Sequence, residues 1–301
     1  MREIQPFRLE SDETMPANVS VLILTKNEQQ DLPDCLKSVS WSDDIHVFDS
    51  MSTDETLAIA QRFGARITQR PFDNWASHQN WGLQHIPFKH PWVFYIDADE
   101  RMTPELVQAV QAAADFPSDK VAFRLQRRDF FMSTWLKHVQ TSSFYMRLFR
   151  PEKMRYERLV NPISIADGPV GDLSGYLDHF PFGKGIGHWI DRHNSYSRFE
   201  AQQIISNRAA GEGFSWVKAF TAKEFHQRRY HQKELFYRLP CRPLVKFLLL
   251  YVAKRGFLDG RAGLTYAVLQ AVYEYFIVLK VRELEAAALT SDESSLRPTT
   301  Q

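Results

Sequence analysis

Cysteine is scarce in this chain of 301 residues, which contains only Cys35 and Cys241. Two cysteines so far apart in the sequence match neither a disulfide framework nor the close spacing of a zinc site. The composition therefore fits a reducing compartment, and we expect a cytoplasmic protein. The net charge of +1 favours no particular class of partner.

Glycine-rich nucleotide-binding motifs are also missing. No G-x-G-x-x-G follows an early strand pattern, which disfavours a dinucleotide cofactor, and no G-x-x-x-x-G-K-[ST] occurs, which excludes a P-loop. The nearest glycine-rich segment, at 183–187, comes too late in the chain to follow the first strand. We expect it to be a mobile loop in which Lys184 contacts a phosphate.

Long apolar runs are the third absence. Residues 1–16 mix charged and polar side chains, so we expect a tail there and no secretory signal. The best apolar run, at 247–253, is closed by lysines on both sides and falls far short of the roughly 20 residues that a membrane span requires. We expect no span, while contact with a membrane surface stays open.

The first hundred residues alternate strand and helix patterns. Apolar runs at 19–24, 45–48 and 92–96 have the composition of buried strands, and each is followed by helical spacing or by capping residues. Alternation with short connections predicts an α/β fold with a doubly wound, mostly parallel sheet. Two more strands are expected at 121–131 and 144–150.

These patterns divide the chain into four parts. We expect an N-terminal tail at 1–16, a catalytic domain at 17–182, a helical region at 183–290 and a flexible tail at 291–301.

The helical region contains a basic segment at 221–261, where ten Lys or Arg stand against three acids. Interleaved aromatic and aliphatic residues make this segment a candidate for peripheral contact with an anionic membrane. The alternative is a packed helical subdomain with a solvated basic face. Nucleic-acid binding is disfavoured, because no recognised module surrounds the basic residues.

The strand at 92–96 ends abruptly in Asp97, Asp99 and Glu100. Side chains two residues apart on an extended chain point to the same side, so Asp97 and Asp99 can face one spot. A hard divalent cation that also binds phosphate oxygens would offset the repulsion between these carboxylates. The alternative is a solvated strand end followed by a helix cap. The position favours a ligand site, because open α/β sheets bind ligands beyond the carboxyl ends of their strands.

Polar residues also follow the two earlier strands. T-K-N-E at 25–28 comes after the first strand, and D-S-M-S-T-D at 49–54 comes after the second. Because a parallel sheet brings such strand ends to one edge, we expect the three segments to line a single crevice. Their short donors and acceptors suit a base and a ribose, and the D-x-D pair suits a metal on a diphosphate.

In combination, these motifs resemble a known family. V-S-V-L-I-L-T-K-N-E, D-S-M-S-T-D-E-T and W-V-F-Y-I-D-A-D-E-R occur in order and look like the family-2 glycosyltransferases of GT-A fold. Y-M-R-L-F-R at 145–150, His179 and G-F-L-D-G at 256–260 are similar to the bacterial branch that builds lipopolysaccharide core and other envelope polysaccharides. The resemblance implies a Mg²⁺- or Mn²⁺-dependent, inverting transfer of a sugar. The donor would be a nucleotide-diphosphate sugar, and the acceptor a hydroxyl of a glycan or lipid-linked sugar.

The resemblance also implies roles for individual residues. The residues that would border the donor nucleotide and its phosphates are Thr25, Asn27, Glu28, Asp49, Gln79 and Asp97. Asp99 would be the principal metal ligand, with Asp97 beside it and His179 as a further metal or phosphate contact. Arg147 and Arg150 would neutralise the departing diphosphate, and the alternative for each is a structural pairing with a carboxylate.

One departure from the family pattern concerns the general base. Many relatives carry a His-Glu pair after the R-L-F-R strand, whereas this chain reads V-N-P at 160–162. A positioned base is worth about 10²–10⁴-fold in rate, so an active enzyme needs another group. The nearby carboxylates are Glu157, Asp172 and Asp178, and His179 is a fourth candidate.

Two other functions stay open from the sequence. A sugar nucleotidyltransferase shares the general fold, although it would need a glycine-rich loop where this chain reads T-K-N-E. A non-catalytic module of the same fold, which binds a glycan or a membrane partner, is compatible with the missing His-Glu pair.

Overall fold

A computed structural model describes residues 18–140, 144–157, 162–209, 214–222 and 224–295. The chain divides into two compact units, of which the first comprises residues 1–128 and 143–179 and the second comprises 129–142 and 180–301. The predicted tail at 1–16 and residues 160 and 161 of the V-N-P segment lie outside the described residues. The domain bounds expected from the sequence, and the functions assigned to those parts, stay predictions.

Strands and helices alternate in the first unit, as the sequence predicts. The strands of the chain are β1 (Val19–Thr25), β2 (Ile45–Asp49), β3 (Arg66–Gln69), β4 (Trp92–Asp97), β5 (Glu100–Met102), β6 (Ala122–Phe131), β7 (Thr134–Trp135), β8 (Phe144–Phe149), β9 (Met154–Glu157), β10 (Ile163–Ala166) and β11 (Val170–His179). The helices of the first unit are α1 (Leu32–Ser38), α2 (Thr56–Arg62), α3 (Trp75–His85) and α4 (Pro104–Asp115), with a 3₁₀ turn at Pro151–Lys153.

Within the described residues, the main sheet has nine strands in the order β3-β2-β1-β4-β8-β6-β11-β5, and β7 pairs with β6. β3, β2, β1 and β4 run parallel to one another. β8 is antiparallel to β4 and to β6, and β5 is antiparallel to β11. The mixed sheet with its parallel N-terminal half and flanking helices confirms the predicted fold class.

Both faces of the central strands are buried, which explains their continuous apolar runs. Val21 and Ile23 of β1 belong to one core cluster, together with Leu36 of α1. Leu22 points to the opposite face and belongs to a second cluster with Phe48 of β2. Since successive strand residues alternate between faces, each central strand contributes to two cores at once.

A helix cap at Thr103 and a glycine at position 175 fix the positions of α4 and β11, which lie next to the candidate site. Thr103 caps α4, because its hydroxyl accepts a hydrogen bond from the backbone N–H of Leu106 at 3.3 Å. β11 passes this helix start at Gly175, which has φ 87°. A Cβ atom at Gly175 would lie 2.9 Å from the backbone nitrogen of Leu106. Glycine is therefore required there, and it lets β11 continue past α4 to His179.

The second unit is helical over most of its described length. Its helices are α5 (Gly185–Ala209), α6 (Trp216–Thr221), α7 (Phe225–Arg238), α8 (Arg242–Leu248) and α9 (Gly260–Ser295), with a π-helical turn at Leu249–Ala253 and a 3₁₀ turn at Gly256–Asp259. α9 reaches Ser295, inside the segment for which the sequence predicts a flexible tail. One described stretch, Gly256–Ala288, is long and apolar enough to cross a membrane by length and composition alone, where the sequence analysis expected no span.

The basic segment at 221–261 is not a uniformly solvated face. Arg242 is buried and pairs with the equally buried Glu274 of α9. Lys233 pairs with Glu200, and the Arg238 guanidinium lies 4.2 Å from the centre of the Phe214 ring. Arg242 is thereby removed from the surface charge, whereas Lys233 and Arg238 stay exposed.

Candidate active site

Three strand ends meet at one edge of the sheet. In the β1–β2 ladder Thr25 is the register partner of Asp49, and in the β1–β4 ladder Leu24 is the partner of Asp97. The polar segments that follow β1, β2 and β4 therefore begin side by side. The structure brings them together as the sequence predicts.

The loops after β1 and β2 are joined by hydrogen bonds. The backbone N–H of Asn27 donates to the Ser52 hydroxyl at 2.8 Å, and the backbone N–H of Thr53 donates to Asn27 Oδ1 at 2.8 Å. The backbone N–H of Glu28 donates to the Thr56 hydroxyl at 2.7 Å. Asn27 has φ 54°, a left-handed conformation that asparagine tolerates better than most residues. The loops form a preorganised rim, on which Asn27 is exposed.

Asp49 is completely buried beneath this rim. Its Oδ1 accepts a hydrogen bond from the Thr25 hydroxyl at 2.9 Å and another from the Ser52 hydroxyl. Its Oδ2 accepts from the backbone N–H of Ser52 at 2.8 Å and from the Gln69 amide at 3.0 Å. Asp49 and Thr25 thus hold the rim together, and the contact with a nucleotide that the sequence assigns to them stays a prediction.

Asp97 is held by two neighbouring side chains. The Tyr95 hydroxyl donates to its Oδ1 at 2.5 Å, and Arg147 Nη2 donates to its Oδ2 at 2.9 Å. The Arg147 guanidinium also lies 4.4 Å from the centre of the Tyr95 ring. Burial and the Asp97 carboxylate raise the pKa of Tyr95, so the phenol keeps the proton that it donates.

Glu100 is the third member of the Arg147 cluster. It is fully buried, and its Oε1 lies 2.6 Å from Arg147 Nη2 and 3.4 Å from Arg127 Nη1. Burial raises the pKa of Glu100, and Arg147 opposes that effect. Burial would also lower the pKa of Arg147, but Glu100 and Asp97 outweigh it and keep the guanidinium charged. Arg147 is therefore the structural partner of two carboxylates, which was the alternative left open by the sequence.

Asp99 faces His179. The register of the β11–β5 ladder sets His179 opposite Glu100, which brings its Nε2 to 3.3 Å from Asp99 Oδ2. Both side chains are mostly buried, at 13% exposure for His179 and 23% for Asp99. Within the described residues, however, no group of three or more acidic, histidine or cysteine side chains is arranged to hold a metal ion.

Gln79 extends the hydrogen-bonded network inward. Its amide donates to the Tyr95 hydroxyl at 3.3 Å, and the same hydroxyl donates to Asp97. Its Oε1 is buried and has no hydrogen-bond partner among the described residues. A buried acceptor of this kind is where a donor group of a ligand or a water would bind.

Arg150 is not brought to this edge of the first unit, and the phosphate contact assigned to Lys184 stays a prediction. The β4–β8 ladder pairs Val93 with Phe149, so Arg150 lies near Trp92, with its guanidinium 4.7 Å from the centre of that ring. At about 3.3 Å per strand residue, Trp92 is about 16 Å from Asp97. Lys184 belongs to the second unit, directly before α5, and helix takes the place of much of the expected glycine-rich loop.

Each of the three carboxylate candidates for the general base pairs with an arginine, and the fourth candidate, His179, pairs with Asp99. Asp172 accepts two hydrogen bonds from Arg124, at 2.8 and 3.1 Å. Asp178 likewise accepts two from Arg128, at 2.6 and 2.9 Å. The third candidate, Glu157, accepts one, at 3.2 Å from Arg155 Nε, and its side chain is 56% exposed.

Sequence reasoning missed two members of the site. Glu100 was visible directly after the D-x-D pair but received no role, and Tyr95 was counted only as an apolar strand residue. Glu100 is the third carboxylate within four residues, and a carboxylate that becomes buried requires a cationic partner. Tyr95 could have been found from its hydroxyl, because Tyr95 precedes Asp97 by two residues and lies on the same side of the strand.

We predict that Arg147→Met lowers the free energy of unfolding by about 3–5 kcal/mol, because it leaves the buried Glu100 without its principal partner. The double variant Arg147→Met with Glu100→Gln should recover part of the loss, since it also removes the buried charge. Urea denaturation measures both values. Arg150→Met is the matched control and should cost less than about 1 kcal/mol. Equal losses for the two arginines would contradict this role of Arg147.

We also predict a pH dependence that originates at His78. Its Nδ1 lies 3.1 Å from Arg70 Nη1, so it accepts that hydrogen bond, and its Nε2–H donates to the Ser50 hydroxyl at 3.2 Å. Burial and Arg70 lower the pKa of His78 from 6.5 to about 4. The unfolded chain binds the proton more tightly, so stability should fall as the pH drops from 6.5 to about 4.

The contribution of His78 is about 3.5 kcal/mol at most, from about 1.4 kcal/mol per pKa unit. Urea denaturation over this pH range should therefore show a shallower slope for His78→Gln than for the wild type. An unchanged slope would mean that the pH dependence comes from other histidines.

The sequence matches a known family and full-length relatives. The profile described as glycosyl transferase family 2 matches residues 20–174. Lipopolysaccharide core biosynthesis glycosyltransferase LpsC of Rhizobium meliloti (strain 1021) is 27% identical over 281 residues, covering 89% of this chain and 93% of that protein. Uncharacterized glycosyltransferase RT0209 of Rickettsia typhi (strain ATCC VR-144 / Wilmington) is 22% identical over 289 residues, covering 88% of this chain and 87% of that protein.

The fold is also similar to that of a solved enzyme. Mannosyltransferase PcManGT from Pyrobaculum calidifontis, in complex with GDP-Man and Mn²⁺, superposes with a TM-score of 0.51 at 15% identity, over 92% of this chain and 90% of that one. The likeness supports the GT-A fold expected from the motifs. Because the matched profile spans half of the chain and contains all three of its strand-end motifs, this protein belongs to glycosyl transferase family 2.

Proposed function

We propose that the protein transfers a sugar, with inversion, from a nucleotide-diphosphate sugar to a hydroxyl of a glycan or lipid-linked acceptor in bacterial envelope polysaccharide synthesis. The observation that carries the proposal is the pairing of Asp99 with His179, at 3.3 Å, beside the cross-bonded loops after β1 and β2. The pair of Asp99 and His179 suits donor phosphates and a divalent ion, and the loops after β1 and β2 suit a base and a ribose.

The relatives support this choice of substrates. LpsC is named for lipopolysaccharide core biosynthesis and is similar over nearly its whole length. PcManGT is solved with a sugar nucleotide and Mn²⁺, and it has the same fold over most of this chain. A lipid-linked or core-oligosaccharide acceptor would place the enzyme at the inner face of the cytoplasmic membrane, in peripheral contact with it.

In this proposal the residues at the rim divide into two groups. Asn27 and Glu28 are at least partly accessible and would contact the base and ribose. Thr25 and Asp49 are buried and act as positioning residues, because their hydrogen bonds keep the rim in place before the donor binds. A rim that is already ordered reduces the entropy lost on binding.

Asp99 and His179 fit a divalent ion. Mg²⁺ in proteins is commonly bound by one or two carboxylates together with substrate phosphates and water, and carboxylates also suit Mn²⁺. Asp97 supports the pair from beside it, since Tyr95 and Arg147 hold its carboxylate in one orientation. When bound, the ion would stabilise negative charge on the departing nucleotide diphosphate, an effect worth several kcal/mol.

We predict that Asp99→Ala lowers sugar transfer by roughly 100-fold or more, because the leaving diphosphate loses the group that neutralises it. His179→Ala should raise the Mn²⁺ concentration required for half-maximal donor turnover. Assays over a panel of nucleotide sugars, and calorimetry with UDP and Mn²⁺, measure these effects.

Asp119→Ala, at an exposed carboxylate of the first unit, is the control and should behave as the wild type. Unchanged transfer in Asp99→Ala would overturn the metal-site proposal. Release of pyrophosphate from a nucleoside triphosphate and a sugar phosphate would instead identify a nucleotidyltransferase. Failure to bind both UDP and Mn²⁺ would favour a non-catalytic module.

Glu157 is our proposed general base. Asp172 and Asp178 each engage both oxygens with an arginine, and such bidentate pairs are among the strongest ion pairs in proteins. Among the described residues, Glu157 accepts one hydrogen bond, from Arg155 two residues before it. Its second oxygen is therefore the most available to accept a proton from an acceptor hydroxyl.

We predict that Glu157→Gln lowers the rate of transfer by about 10²–10⁴-fold while leaving the affinity for UDP and Mn²⁺ intact. Asp172→Asn and Asp178→Asn should affect folding stability more than the chemical step, because each leaves an arginine without its partner. Single-turnover kinetics with bound donor separates the two effects. A larger loss of rate in either aspartate variant would transfer the role of base to that residue.

A further inference from the structure

The segment from α8 to Arg282 of α9 exposes charge of only one sign. Between residues 239 and 282 it contains two carboxylates, Asp259 and Glu274, and both are buried. Asp259 accepts hydrogen bonds from the backbone N–H groups of His138 and Val139, and Glu274 pairs with Arg242. The exposed charges that remain are all cationic: Lys254, Arg255, Arg261 and Arg282.

Three of these cations surround a tight turn, residues 252–261, that we call the basic turn. Arg255 has φ 59°, and a Cβ atom at Gly256 would lie 2.7 Å from the carbonyl oxygen of Leu250. Gly256 and Asp259 point inward and are buried. Phe257 and Leu258, between them, are 48% and 55% exposed. The backbone therefore holds two large apolar side chains in solvent among three cations.

An exposed apolar stripe follows the basic turn along α9. Its members are separated by three or four residues and are each more than 40% exposed: Leu264, Val268, Val272, Tyr275 and Leu279. At 1.5 Å per residue the stripe is roughly 22 Å long. Eleven of the 25 exposed large hydrophobic residues in the described chain lie within 242–279. Exposed apolar patches of this extent mark an interaction surface.

The packing of α9 disfavours a membrane-spanning arrangement. Its buried face, at Ile277 and Val281, contacts Ile204 of α5 within one core cluster. α5 exposes charged residues along its length, including Asp191 and Arg198. If α9 crossed a bilayer, α5 would carry those charges into the hydrocarbon, where each costs several kcal/mol. A helix lying in the plane of the interface avoids that cost.

We propose that the basic turn and the apolar stripe of α9 dock on the surface of a lipid bilayer with anionic headgroups. Phe257 and Leu258 would enter the boundary between headgroups and acyl chains, and Lys254, Arg255 and Arg261 would pair with headgroup phosphates. This proposal rests on the proposed function in one respect: docking would serve to bring the enzyme to a lipid-linked acceptor. Docking itself requires neither donor nor acceptor.

Co-sedimentation of the full chain with vesicles tests the proposal. The wild type should bind vesicles of phosphatidylcholine mixed with phosphatidylglycerol, bind pure phosphatidylcholine weakly, and lose binding as salt is added. Lys254→Gln, Arg255→Gln and Arg261→Gln together should weaken binding on the order of 100-fold, from about five-fold for each cation near the headgroups. Phe257→Gln with Leu258→Gln should also weaken binding, including at low salt.

Matched controls lie in the first unit. Lys37→Gln, Arg62→Gln and Lys153→Gln change the net charge by the same amount at exposed positions, and Phe116→Gln removes an exposed aromatic ring. These controls should bind vesicles as the wild type does. Circular dichroism and UDP–Mn²⁺ calorimetry on every variant show whether the fold and the donor site are intact. A failure of donor binding is thereby distinguished from a failure of docking.

Three results would overturn the proposal. The first is equal binding to neutral and anionic vesicles, and the second is an equal loss of binding in the control and basic-turn variants. The third is a change from dimer to monomer in Phe257→Gln with Leu258→Gln while vesicle binding is unchanged. That last result would assign the surface to a second copy of the chain.

Discussion

The buried guanidinium of Arg147 is the interaction on which the candidate site depends. Asp97 ends β4 and Glu100 begins β5, and their negative charges would repel each other in a region of low dielectric. Arg147 of the adjacent strand β8 contacts both, at 2.9 and 2.6 Å. A buried charge is tolerated only when it is paired, so the three groups must be assembled together. Arg147 consequently links the D-x-D segment to strand β8 in the middle of the sheet.

This arrangement separates support from ligand binding. Asp97 accepts hydrogen bonds from Tyr95 and Arg147, and Tyr95 in turn accepts one from Gln79. Asp99 instead faces His179 on β11. Asp49 orders the rim in a similar way, since its four hydrogen bonds join β1, β2, β3 and the following loop. Both halves of the proposed donor site are preorganised by buried carboxylates whose partners belong to other elements.

The second unit follows a different principle. The two carboxylates that it contains between residues 239 and 282 are buried and paired, so positive charge and apolar side chains are left at the surface of that segment. In the first unit, buried charge stabilises the candidate active site, for which we propose a small anionic donor. In the second, burial of Asp259 and Glu274 leaves only positive charge exposed between residues 239 and 282, which suits an extended anionic partner better than a small one.

The sequence by itself determined the α/β class, the strand ends that carry polar residues and the position of Asp97 and Asp99, because these follow from local periodicity and from the geometry of parallel sheets. Tertiary structure decided what each charge contacts. Register alone sets Arg150 beside Trp92, at the far end of β4 from Asp97, and sets His179 beside Asp99. The burial of Arg242 depends on the packing of α8 against α9, so counting cations along the segment overestimated its surface charge. Such pairings join residues 20 to 120 positions apart, and no local pattern in the sequence specifies them.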